Sequence, residues 1–181
     1  MALPPIIYRV AIDLADSDRD RYVALRATVA RHPSETAERL IVRLLAYAWC
    51  YEEGLVFTKG ISSGDEPDLW VKGADGRTQC WIEVGLPEAE RLLKAGHHVE
   101  RVVLFAYGSG LRRWKERHLP KLSRAENIVC YGVDDPFIAE LVPRLERSLT
   151  WALTVAGGVI YLEMNGEAFA TVLTLLSAGG A

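Results

Sequence analysis

Cysteine is scarce in this chain and badly placed for a framework: Cys50, Cys80 and Cys130 are an odd, widely spaced set with no CxxC pair. That excludes a disulfide scaffold and a cysteine-rich zinc ribbon, and predicts buried thiols in a reducing compartment. Histidine is sparse too. His97 and His98 are adjacent, so a helix would point them about 100° apart, and His32 and His118 stand alone. None has metal-ligand spacing, and structural or solvated roles are expected. No nucleophile elbow surrounds Ser62, Ser63 or any other serine, and Gly108-Ser109-Gly110 lacks the Gly-Lys of a phosphate-binding loop and reads as a turn. No uncharged apolar run reaches the roughly 18 residues that span a bilayer. The 168–181 stretch is apolar but short, and is expected to form a core or edge element. Arg9 interrupts the first apolar run, so no signal peptide is expected, and the chain reads as soluble and cytoplasmic. The net charge of −3 argues against a generally basic nucleic-acid coat.

What the sequence does have is apolar material in structured patterns. Half of its 181 residues are hydrophobic, enough for one domain with a real core. Ile6, Tyr8, Val10, Ile12 and Leu14 alternate as a strand does, and after a charged turn the extended pattern resumes, giving an opening hairpin over 6–30. His32-Pro33-Ser34-Glu35 reads as a helix entry, with the helix continuing to about Glu52 and Ile41, Val42, Leu45 and Trp49 on one stripe. Glu38 lies three and four residues before Ile41 and Val42, which places it on that inward stripe. A strand over 55–61 and a loop over 62–67 follow. Pro87 opens a second helix; Val102-Val103-Leu104-Phe105 is a buried strand; 111–122 is a basic helix. A strand over 127–133, a helix over 137–147 and a hairpin turning at Gly157-Gly158 complete a single unit over 1–181. Within it, 34–133 is a core and 134–181 a C-terminal helix and hairpin. The fold class is α/β, a mixed sheet with helices on its faces.

The stretch between Asp68 and Glu83 carries the chemistry. Asp75-Gly76, flanked by strand-like runs, signals a hairpin whose two central residues both take positive φ. With those two at the turn, paired residue numbers sum to 151 and Asp68 faces Glu83, their Cβ atoms about 5 Å apart; a longer turn that includes Gly73 would change the pairing. Opposed carboxylates destabilise a ladder, so the pair needs a cation, a proton or ample water. A divalent metal answers that need through hard oxygen ligands. Solvated carboxylates paired with Arg91, Lys94 or Lys72 answer it without one.

The order of parts, with Ala30-Arg31-His32-Pro33-Ser34-Glu35-Thr36, Glu66-Pro67-Asp68-Leu69-Trp70, Trp81-Ile82-Glu83-Val84-Gly85 and Arg91-Leu92-Leu93-Lys94-Ala95, resembles the YaeQ family of bacterial proteins. Through it the chain is similar to the PD-(D/E)XK nuclease-like core of helix, three-stranded meander, helix and strand, here with a β-hairpin added at each end. The resemblance implies Asp68 and Glu83 as carboxylates for Mg²⁺ or Mn²⁺, and Glu38 as an accessory acid. Its lysine, expected two residues after the second acid, is replaced by Gly85; Lys94, with Arg91 on the same helix face, can stand in for it. In that reading Lys94 or Arg91 orients a metal-bound water or the phosphate. Residues 91–124 carry nine Lys and Arg against Glu100 and Glu116, a local charge of +7 adjoining Trp114. Such a region suits a phosphate backbone and stacked bases, although a solvated face is its plainer account. The expected function is a metal-dependent phosphodiesterase acting on nucleic acid. The alternatives are a catalytically silent nuclease-like module that binds nucleic acid or a protein partner in a regulatory role, and a scaffold whose carboxylates are structural.

Overall fold

A computed structural model describes residues 4–59 and 64–177. The far end of the strand expected over 55–61, Ser62 and Ser63, and the last four residues lie outside them. The chain runs β1 (Ile6–Asp16), β2 (Arg21–Arg31), α1 (Ala37–Trp49), β3 (Val56–Phe57), β4 (Leu69–Lys72), β5 (Thr78–Val84), α2 (Ala89–Gly96), β6 (Arg101–Ala106), α3 (Leu111–Leu122), β7 (Ile128–Gly132) and α4 (Asp135–Leu141). A 3₁₀ turn, β8 (Ser148–Ala156), β9 (Val159–Met164), β10 (Glu167–Val172) and β11 (Thr174–Ser177) complete it.

The strands form two mixed sheets, not the single sheet expected from sequence. One has the order β10-β9-β8-β1-β2 and the other β11-β7-β6-β5-β4-β3. The two terminal hairpins are not appendages of the core. β1 pairs in parallel with β8, Arg9 against Ser148 through Asp16 against Val155, so the hairpins merge into one sheet. The turns at their shared end are tied together. Gly157 and Gly158 both take positive φ, and their N–H groups donate to the Asp18 carboxylate at 2.8 and 2.7 Å, which holds that acid below its usual pKa.

α1 lies between the sheets. Every residue from Leu40 to Ala48 is buried, so the helix is covered all round and not along one stripe. One core joins α1 to the inner face of the first sheet and to Leu69, Val71, Cys80, Ile82, Val103 and Phe105 of the second. The opposite face of the second sheet, with Val102, Leu104 and Cys130, packs on α2 and α3. β6 is therefore apolar on both faces, as its unbroken hydrophobic run predicts. All three cysteines are buried free thiols, as expected, and burial pushes Cys50 and Cys130 up to about 12. Among the described residues no helix is long and apolar enough to cross a membrane.

Candidate functional site

The β4–β5 hairpin sets the site. Its turn is not the two-residue one expected: Gly73 N–H donates to Arg77 O and Gly76 N–H to Gly73 O, both at 2.9 Å, with Gly76 at φ +80° and Asp75 outside the positive-φ region. This is a three-residue turn closed by a glycine in the left-handed region. It leaves the pairing one residue short, Lys72 opposite Thr78, until a bulge at Gln79 restores Val71 to Cys80, Trp70 to Trp81 and Leu69 to Ile82. The register beyond the bulge is the one read from sequence. Asp68 lies just before the paired run; its N–H donates to Ile82 O at 2.9 Å, and its Oδ2 accepts the Val84 N–H at 2.8 Å.

Both carboxylates are buried, Asp68 1% and Glu83 6% exposed, and each is already met by guanidinium groups. Asp68 Oδ1 lies 2.7 Å from Arg39 Nη2 and 3.5 Å from Arg43 Nε. These are close charge contacts without hydrogen-bond alignment: Asp68 Oδ1 and Arg43 Nε are both buried and lack an aligned partner. Arg43, 2% exposed, also donates from Nη1 to both oxygens of buried Glu35 at 3.0 and 3.1 Å, and Arg39 reaches the same acid at 3.3 Å. On the other side Glu83 Oε1 accepts from Arg91 Nε at 2.6 Å and from Trp81 Nε1 at 2.9 Å. Burial pushes the Asp68 carboxyl above its ordinary pKa, and Arg39, Arg43 and the Val84 N–H pull it back only in part. Glu83 is raised in the same way, first by burial, against Arg91 and Trp81, with the nearby Asp68 charge adding to the rise.

The remaining expected site residues are spread around this pair. Arg91 is fully engaged: besides Glu83 it donates to the carbonyls of Gly64 and Glu66, so it clamps the 64–66 loop to α2. Lys94 is exposed on α2 and has no ion pair among the described residues; it lines a cleft of about 380 Å³ with Trp81, Arg77 and His98. Glu38 is not on an inward stripe. The first turn of α1 lies beyond the buried segment, Glu38 is exposed, and the buried acid is Glu35, just before the Thr36 cap. Sequence reasoning missed Glu35, Arg39 and Arg43. The available signal was Arg43 itself, a cation set in the apolar run Leu40–Ala48.

Gly85 holds the position where the resemblance expects lysine, and its φ of +112° explains the residue: the chain leaves β5 there in a conformation that side chains rarely adopt. In the basic region Trp114 is buried and donates to Pro87 O at 2.6 Å, so it is a packing residue and offers no face to a base. His118, expected to be structural or solvated, is buried and stacked on Trp114. With Glu88 and Glu90 it forms a group of metal-capable side chains. Its Nδ1, however, accepts the Ala89 N–H at 3.3 Å, which in the neutral ring leaves the proton on Nε2, the nitrogen facing the acids. Glu90 is met by Lys121 at 2.7 Å. That group is an ion-pair network capping α2.

Mg²⁺ or Mn²⁺ at Asp68 and Glu83 would need oxygens that are free of cations. Asp68 Oδ2 is taken by a backbone N–H, Asp68 Oδ1 faces two arginines, and Glu83 Oε1 carries Arg91 and Trp81. Guanidinium groups already supply the charge at Asp68 Oδ1 and Glu83 Oε1, so a divalent ion held through these oxygens would have to displace them.

The sequence and fold have close counterparts. The family model described as YaeQ protein matches residues 1–173. The YaeQ proteins of Salmonella typhi and Escherichia coli are 39% and 36% identical to this chain over 163 residues, which is 90% of this chain and 90% of each relative. The crystal structure of YaeQ protein from Pseudomonas syringae superposes with a TM-score of 0.94 at 37% identity, covering 99% of this chain and 100% of that one. The YaeQ protein from Xanthomonas axonopodis pv. citri gives 0.93 at 29% identity, covering 96% and 99%. The element order, the two sheets and the similarity along nearly the whole chain place this protein in the YaeQ family.

Proposed function

We propose that this protein is a nucleic-acid-binding module built on a nuclease-like scaffold, one that binds phosphodiester chains without a resident catalytic metal. The element order from α1 through the β3–β4–β5 meander, α2 and β6 is the feature that supports a PD-(D/E)XK-like core. One observation carries the preference for binding over cutting: Asp68 and Glu83 are buried and each is met by arginine, while the accessible charges of the cleft beside them are Lys94, Arg77 and the Arg91 edge against the single acid Asp65. Exposed Arg113 and Arg124 on and after α3 have no ion pair among the described residues and extend the cationic surface within the 91–124 region. Such a surface binds phosphates by releasing counterions, so affinity falls steeply with salt.

The metal-dependent phosphodiesterase remains the second reading, and it is favoured by the poorly aligned Asp68 Oδ1 beside a second carboxylate. It requires Arg91 to release Glu83. Calorimetric titration of metal-stripped protein with Mn²⁺, beside an Asp68→Asn/Glu83→Gln variant shown to be folded, separates the two. The binding reading expects no saturable Mn²⁺ uptake, together with salt-sensitive binding of an oligonucleotide. Saturable uptake that disappears in the variant would overturn it in favour of the nuclease.

A further inference from the structure

The cleft beside Glu83 has the composition of a nucleotide subsite. Its apolar floor is Trp81, Ala95 and Val99, and its rim carries Arg77, Lys94 and His98. At about 380 Å³ it falls at the small end of the range for ligand pockets, roughly 300–1,000 Å³. Trp81 is half-buried, and its Nε1 is anchored on Glu83 Oε1 at 2.9 Å, so the indole is held in one orientation before any ligand arrives. A preset aromatic face removes part of the ordering cost of stacking. Arg91 is committed to Glu83, to two loop carbonyls and to the Trp81 ring, over which its guanidinium lies 5.7 Å from the centroid, which leaves Lys94 and Arg77 as the cations of the cleft free to turn toward a phosphate. Arg77 has only a loose exposed contact with Asp75 at 3.6 Å. Asp65, the acid of the lining, can accept from a base amine or a sugar hydroxyl.

We infer that this cleft takes a single unpaired nucleotide of a nucleic-acid strand, its base stacked on Trp81 and its phosphate held by Lys94 and Arg77. The inference rests on the nucleic-acid reading and adds a preference to it: an indole on the floor of a cleft is reached by a base outside a duplex, so single strands bind and duplexes do not enter.

The test is fluorescence anisotropy with a labelled single-stranded oligonucleotide of about ten nucleotides, and with its duplex, against the intact protein and its Trp81→Leu, Trp81→Phe and Lys94→Ala variants. Binding to the single strand should exceed binding to the duplex. Trp81→Leu should weaken it about ten-fold, and Trp81→Phe should restore most of the loss. Both substitutions remove the hydrogen bond to Glu83, so recovery with phenylalanine isolates the stacking face from any effect on folding. Lys94→Ala should lower the salt slope by about 0.7, the value for one single-strand phosphate contact. Oligonucleotide binding that is unchanged in folded Trp81→Leu, or equal for duplex and single strand, would overturn the subsite and leave the parent reading standing. Failure of wild type to bind either strand would overturn both.

Discussion

Arg43 sits buried in the middle of a helix, between two acids that come from different parts of the chain. Glu35 precedes the helix and Asp68 opens the hairpin, and both are buried with it. Removing one member of such a group leaves uncompensated charge in a low dielectric. Arg43→Ala should therefore cost about 3–5 kcal/mol, read from urea unfolding. The acids respond to pH in a definite direction. Burial raises the Asp68 and Glu83 pKa values in the folded state above their unfolded values near 4. The folded state thus holds protons that the unfolded state has lost, so their contribution to stability is full below about pH 4 and declines as pH rises through the raised folded values. Asp68→Asn should flatten the fall in stability that sets in above about pH 4, measured as urea midpoints at rising pH. The nearness of Asp68 and Glu83 was legible in their residue numbers. Their arginine partners were not, because strand period says which side chains share a sheet face and nothing about which helical cation reaches them. Gly85 belongs to the same scale. Placing lysine there to restore the nuclease pattern should destabilise the chain by about 1–3 kcal/mol, since φ is +112° although the space for a Cβ is open.

The hairpin shows how an element can reach its register by a route the sequence does not announce. The Asp75-Gly76 signal located the turn correctly, but the turn takes one more residue than expected and the bulge at Gln79 takes it back. Two one-residue departures cancel, and the burial of Leu69, Val71, Cys80 and Ile82 on one face enforces the cancellation, because a slip by one would turn them outward. α1 carries a comparable lesson: its stripe was read from period, but cover on both sides buries every face, and only its first turn stays outside. The Thr36 hydroxyl caps that turn by accepting the Arg39 N–H at 3.2 Å, and Arg39 is the residue that reaches Asp68. Thr36→Ala should cost about 1 kcal/mol of stability, and the loosened first turn should raise amide hydrogen exchange at Arg39 ahead of the rest of α1.

At the scale of the molecule, the pairing of β1 with β8 was the feature least accessible to sequence. Both hairpins were recognised, yet nothing local in either states that their strands lie side by side in parallel, since that contact spans most of the chain. The consequence for stability is cooperativity. The core that joins the first sheet, α1 and the second sheet is continuous, so the first sheet has no interior of its own and the second, which also packs on α2 and α3, loses one whole face if the two part. Thermal unfolding followed by far-ultraviolet and by tryptophan circular dichroism should give coincident midpoints; two separated transitions would mean that the sheets unfold independently.

The same pairing constrains how the protein is made. On a ribosome adding about 5–20 residues per second, β1 and β2 leave the tunnel roughly ten seconds before β8 exists. During that interval Val10, Ile12, Leu14 and Leu25, all buried in the finished sheet, have no partner strand beyond their own hairpin. The nascent chain therefore presents a sticky, half-built surface through most of its own synthesis, and a cell short of holding chaperones should lose this protein to aggregates while it is still being translated.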